Sequence, residues 1–204
     1  MEAYREKLLL DVSKLPSVAI GRRNVSWLGN IFYMVIEGTM FLLVIASYFY
    51  LRSRSVDWPP APYMPPALRY GIANVVILLL SLLPARWIQK RAAAGDRPNV
   101  RVGLFILAAM ALVAIVVRWF EFGALNCRWT DNGYASTVWA LLGVHTGHLI
   151  TEFIETFLIG AIACTPKMEG NRFADADTNS VYWYFVVATA LICDLVIYGA
   201  PRFI

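Results

Sequence analysis

Residues 102–117 read VGLFILAAMALVAIVV, an uncharged run closed by Arg101 on one side and Arg118 on the other. A helix rising about 1.5 Å per residue needs roughly 20 mainly apolar residues to cross about 30 Å of hydrocarbon. The run meets that length once its ends are counted, because arginine stems bury along apolar surface while the charged heads reach outward. Four further stretches meet or approach the same test. Together they predict spans at about 27–51, 68–88, 101–121, 136–165 and 180–200. The first holds a single charge, Glu37, and the second is uncharged from Tyr70 to Ala85, between Arg69 and Arg86. The fourth is the longest and the most polar inside, and the fifth carries Asp194 near its far end.

Composition points the same way. Of 204 residues, 59% are apolar and 16% charged, where soluble domains run near half and a quarter. That excess excludes a soluble core, a disordered chain, a collagen-like repeat and a disulfide scaffold. Three scattered cysteines supply neither a disulfide framework nor a zinc site. The formal charge of +4 is met by basic residues beside membrane spans, so no nucleic-acid partner is implied. Pro59, Pro60, Pro62, Pro65 and Pro66, then Gly95-Asp96-Arg97-Pro98, then Thr165-Pro166 interrupt the chain between spans. Proline lacks the backbone donor and clashes with the preceding turn.

The expected fold is all-α: a polytopic bundle of five transmembrane helices over residues 27–204, behind a cytoplasmic N-terminal segment at 1–26. That segment contains Glu2, Glu6 and Asp11 and no apolar core, so it reads as neither signal nor transit peptide. Residues 1–16 suit either a short surface helix or a solvated tail. Twelve of the 18 basic side chains fall in the N-terminal segment, the second-to-third connection and the fourth-to-fifth connection, and six fall on the other side. The positive-inside bias then puts the N-terminus in the cytoplasm and the C-terminus in the periplasm.

Ionisable side chains inside a membrane are costly, so each one prompts a functional question. Glu37 lies ten residues into the first span, roughly 15 Å from its cytoplasmic end on the ideal rise. In the fourth span His145, His148, Glu152 and Glu155 are spaced 3, 4 and 3 apart, which places all four on one helix face. That helix enters from the outside, so the histidines share the depth of Glu37, while Glu152 and Glu155 approach the cytoplasmic boundary. Glu37 is therefore expected to hydrogen-bond one of the two histidines across a helix interface.

Three chemistries compete for this stripe. A di-iron centre draws two Glu-x-x-His pairs and further glutamates from several helices. Two histidines on one helix, in a stripe about 15 Å long, do not supply it, so no metal is expected. Proton or ion conduction along a carboxylate chain is the second chemistry. The third is a structural polar cluster of Glu37, His145 and His148, with Glu152 and Glu155 as interfacial carboxylates. Arg118 and Glu121, three apart at the periplasmic end of the third span, are expected to pair with each other or with lipid headgroups, and Asp194 to meet interfacial water. The lipid and interface set is Arg69, Arg86, Arg101, Arg118, Glu121 and Trp183, the last as a packing residue. Most of the 7 tryptophans and 10 tyrosines are assigned to the interfaces, where amphipathic rings settle. Two histidines cannot provide the axial and copper ligands of a haem–copper centre, so no catalytic residue and no cofactor of its own are expected in this chain.

Several short motifs recur in a definite order. Glu37-Gly38-Thr39-Met40-Phe41 lies in the first span, with Asp57-Trp58-Pro59-Pro60 after it. Trp119-Phe120-Glu121-Phe122 ends the third, and Asp131-Asn132-Gly133-Tyr134-Ala135-Ser136-Thr137 begins ten residues after Glu121. Gly143-Val144-His145-Thr146-Gly147-His148 lies in the fourth, and Tyr182-Trp183-Tyr184-Phe185-Val186-Val187 in the fifth. Each is weak alone. Their order, spacing and placement together resemble subunit III of the haem–copper cytochrome c oxidases in its short five-helix form, from about Trp27 to Ile204. The chain departs from that family at Tyr184, Val187 and Ala190, where His, Asp and Trp are usual, and Glu152 and Glu155 look like additions.

The resemblance implies a non-catalytic subunit of the bacterial inner membrane. It would pack against the catalytic subunit I, in a complex with subunit II and a small subunit IV, with haem and copper in those partners. It would hold phospholipid between its helices and support oxygen access and proton pumping in aerobic respiration. Two alternatives remain at this point. One is an accessory subunit of a nitric oxide reductase or quinol oxidase, distinguished by the large subunit that co-purifies. The other is a stand-alone carboxylate-lined transporter, distinguished by transport from the purified chain alone.

Overall fold

Helix ends in this chain are written in its capping residues. In a computed structural model, residues 20–21, 24–165 and 171–203 are described. The surface helix or tail expected at 1–16, and most of the 1–26 segment, lie outside the described residues. The Asn24 side chain accepts the Ser26 N–H at 2.9 Å and starts α1, Val25–Ser53. The second helix, α2 (Leu68–Ala93), follows the proline-rich connection. It closes on Gly95, whose φ of +68° suits a residue without a Cβ. The Gly95 N–H donates to Ala92 O and the Asp96 N–H to Arg91 O, the paired closure of a Schellman turn.

Asp96 at once opens α3, Arg97–Gly123, by accepting the Asn99 N–H on Oδ1 and the Asn99 side-chain amide on Oδ2. The amide bond, with help from the backbone N–H and from Arg91, holds the Asp96 carboxyl below the usual aspartate range. A lowered folded pKa means the cap's contribution is present above the unfolded pKa. It fades as pH falls through the folded one. Asn132 caps α4, Gly133–Ala163, through the Ala135 N–H at 2.9 Å. The last helix, α5 (Asn171–Asp194), runs on through a π-helical turn at Leu195–Gly199 into a final α-turn, Ala200–Phe203.

All five long helices among the described residues have the length and composition to cross a membrane, and no strand occurs among those residues. The fold is all-α, as the sequence indicates. The fifth helix starts at Asn171, well before the expected 180, because its polar first turns are not a loop. Asp177 accepts from Gln89 of α2 at 3.3 Å, and Asn179 donates to Thr156 of α4 at 3.0 Å. Residues that look like a connection in sequence thus have partners on two neighbouring helices.

Helix α2 packs along α3, α3 along α4, and α5 lies against both α2 and α4, closing a four-helix ring; α1 sits outside it against α4 and α5. The apolar core has two parts. Ile88, Leu104, Leu107, Leu149 and Trp183 anchor the part nearer the α2–α3 turn. Tyr48, Leu125, Tyr134, Leu141 and Ile197 anchor the opposite part. In the second part Trp58, from the Trp-Pro-Pro connection, sits edge-on to both Tyr48 and Tyr134 with ring centroids 5.1 Å away. These tyrosines are core residues rather than interfacial ones.

Close helix approach depends on small residues, as is usual where no hydrophobic drive separates helix from lipid. A Cβ on Gly71 of α2 would lie 2.5 Å from the Tyr198 ring. Gly71→Ala is therefore expected to push that ring aside and cost about 1–3 kcal/mol, the usual penalty for overpacking. Thermal unfolding in detergent should show a lowered midpoint. Gly29→Ala, where a Cβ meets nothing within 4 Å, should leave the midpoint unchanged or raised.

Candidate functional site

Two buried polar networks cross the bundle. The first joins α1 to the ring. Glu37 Oε1 lies 2.9 Å from His148 Nε2 of α4, and the Tyr182 hydroxyl of α5 donates to Glu37 Oε2 at 2.5 Å. The His148 ring is oriented by its other nitrogen, 2.8 Å from its own-helix carbonyl at Val144, which requires a hydrogen on Nδ1. The Glu37–His148 contact then needs one further hydrogen between carboxyl and imidazole, whichever side it sits on. Phe41 covers the His148 ring, with centroids 5.2 Å apart. The expected bond between Glu37 and a histidine is thus made by His148.

His145 does not share it. One turn earlier on α4, it turns into the ring and is fully buried. Its Nδ1 lies 3.1 Å from Arg118 Nη2 and its Nε2 lies 3.0 Å from Val186 O. A guanidinium only donates and a carbonyl only accepts, so Nδ1 is bare and Nε2 carries the hydrogen. Three residues of spacing rotate two side chains by about 60° on a helix, enough to send these histidines to different neighbours.

Arg118 is the centre of the second network. Its Nη1 donates to Glu121 Oε2 at 2.9 Å, with both side chains at most 1% exposed. Glu121 also accepts from Asn74 Nδ2 of α2 at 3.3 Å, and its Oε1 accepts from the Tyr198 hydroxyl at 2.6 Å. Asp194, at the end of α5, stands 3.9 Å from Arg118. Helices α2, α3, α4 and α5 and the π-helical turn all contribute.

Several expectations are corrected here. Arg118 and Glu121 do pair, but inside the bundle and not at lipid headgroups. Asp194 is buried and faces Arg118 instead of interfacial water. Trp183 is the packing residue expected, fully buried with its indole N–H donating to Ser81 of α2 at 2.7 Å, and so does not belong with the interface set. Glu152 is buried and Glu155 exposed, so the four-residue stripe of α4 is not one uniform face. Arg69, Arg86 and Arg101 are exposed. Asn74, Tyr182 and Tyr198 are the network members not singled out by sequence, because neutral polar groups within apolar helices carry no charge to mark them. At the departures from the family pattern, the Tyr184 hydroxyl donates to Gln89 of α2 at 2.7 Å, and Val187 and Ala190 are buried core residues.

The arrangement has bundle-fixing chemistry. Breaking one partner of a buried pair leaves an uncompensated charge, typically costing 3–5 kcal/mol, whereas replacing the whole pair with apolar groups is often neutral. Arg118→Met is expected to destabilise the bundle on that scale. Arg118→Met combined with Glu121→Leu should recover part of the loss in thermal unfolding, the remainder being the cost of leaving Asn74, Tyr198 and His145 without those partners. Equal loss in the single and double variants would show that the pairing is not what holds these helices.

No family model matches the chain. Individual proteins do. Cytochrome c oxidase subunit 3 of Synechocystis sp. is 24% identical over 186 residues, covering 87% of this chain and 77% of the relative. That of Thermostichus vulcanus is 26% identical over 180 residues, 86% of this chain and 88% of the relative. That of Schizophyllum commune is 26% identical over 179 residues, 84% of this chain and 66% of the relative. With five apolar helices carrying the motifs in order, the chain is similar along most of its length to cytochrome c oxidase subunit 3 proteins.

Proposed function

We propose that this chain is the accessory subunit III of a bacterial haem–copper oxidase, oriented in the inner membrane with its N-terminus in the cytoplasm. Similarity to subunit 3 proteins along most of the chain carries this reading. The polar networks are consistent with a supporting role. Their hydrogen bonds join side chains on different helices, so their evident work is to fix helices against one another. Apolar side chains of α1 such as Phe32, Ile36, Leu42 and Leu43 are exposed. Surfaces of that kind suit phospholipid or a large membrane partner, and the partner proposed is the catalytic subunit I, with haem and copper held there. The exposed Arg69, Arg86 and Arg101 are placed to meet lipid headgroups. In this role the chain steadies the subunit that reduces oxygen, and contributes to oxygen access and sustained proton pumping without a redox group of its own.

Extraction in mild detergent followed by mass spectrometry should find this chain with a large haem-bearing subunit. A chain that leaves its native membrane alone would end the proposal, and a nitric oxide reductase or quinol oxidase partner would redirect it. Glu37→Ala removes the acceptor that ties α1 to His148 and Tyr182. It should weaken co-purification severalfold while leaving the haem spectrum of the partner unchanged. Loss of haem or copper in that variant would mean that the chain shapes the redox site directly.

A further inference from the structure

Between α1, α4 and α5 lies a polar recess of about 110 Å³ that neither network fills. On a measure by which one water needs roughly 10–15 Å³, it is far too small for a lipid tail and large enough for an ion with a few waters. Glu152 and Glu155 line it from α4, Tyr33 from α1, and Asn179 and Tyr182 from α5. No basic side chain lines it among the described residues. Glu152 is only 1% exposed and no hydrogen bond is made to its buried Oε1. A buried carboxyl oxygen without a hydrogen-bond partner is expensive, and this one faces the recess.

Two of the lining hydroxyls spend their hydrogens elsewhere. Tyr182 donates to Glu37, and Thr151, also in the wall, donates to backbone carbonyls of its own helix at Gly147 and His148. The Asn179 amide N–H donates to Thr156. The two carboxyls and the lone pairs of these two hydroxyls leave acceptors at the recess, the groups that hard monovalent cations favour. We infer that this recess binds a compact monovalent cation with Glu152 as its charge-matching ligand. The shared chemistry admits two sources: an alkali ion from the aqueous phase, or the primary ammonium of an aminolipid headgroup. Glu155, at the exposed rim, would draw the cation in. The inference rests on the recess alone and holds whichever large subunit accompanies the chain.

The test uses the full chain in the assembly in which it is extracted, placed in phosphatidylcholine nanodiscs and followed by thermal unfolding. Sodium or potassium chloride, compared with choline chloride at equal ionic strength, should raise the midpoint by on the order of 5 °C if the ion is aqueous. If the ammonium comes from lipid, exchanging phosphatidylcholine for phosphatidylethanolamine should produce the rise in choline chloride instead. Either response must vanish in Glu152→Gln and shrink in Glu155→Gln. Equal midpoints in all media, or an undiminished response in Glu152→Gln, would overturn the site. Should Glu152→Gln fail to assemble, Thr151→Val decides: it removes a lining oxygen but no charge, and must raise the half-effect concentration several-fold. An unchanged half-effect there would also overturn the site.

Discussion

The Arg118–Glu121 pair governs much of how the helices can be arranged. A charged side chain inside hydrocarbon is tolerated only when its donors and acceptors find partners within the protein. Arg118 cannot shed its charge, so the surrounding helices have to present acceptors at one level of the bundle. Glu121 supplies one from the same helix. His145 supplies another by leaving its Nδ1 bare, and that choice sends its Nε2 hydrogen to Val186 of α5. Glu121 in turn collects Asn74 from α2 and Tyr198 from the π-helical turn. One guanidinium thereby fixes the rotation of four helices, since turning any of them by a single residue would strand a buried polar group.

The same logic explains why α1 needs a separate tie. It lies outside the ring and is the least buried of the five spans. Apolar contact with α4 and α5 hardly discriminates in a membrane, because lipid tails offer α1 much the same surroundings. Glu37 provides the discrimination, reaching His148 on one neighbour and Tyr182 on the other. The two networks share α4 and α5, so these helices relate the position of α1 to that of the ring.

The helices and the oxidase resemblance were legible in sequence because they rest on one-dimensional signals: uncharged runs, proline breaks and ordered motifs. The Glu37–His148 contact was legible in part, since depth along a helix can be counted from its ends. Lateral facing cannot. Arg118 sits at the end of an apolar run like Arg69 and Arg86, yet those are exposed and Arg118 is enclosed. What separates them is which neighbouring helix supplies acceptors, and that is a property of packing. The start of α5 was obscured similarly: Asp177 and Asn179 look like loop residues until Gln89 and Thr156 are seen opposite them.

Tyr184 shows how the fold absorbs a departure from its relatives. A histidine at that position would offer a short, titratable ring, whereas the tyrosine reaches Gln89 with a neutral hydroxyl. Gln89 uses its carbonyl for that bond and its amide for Asp177, so one α2 residue holds α5 at two points about two turns apart. Val187 and Ala190 sit on the buried side of the same helix and fill space that a polar or bulky residue would otherwise claim. The α2–α5 seam thus combines side-chain hydrogen bonds, one of them to the Asp177 carboxyl, with small apolar contacts, while the fully buried ion pair lies at Arg118.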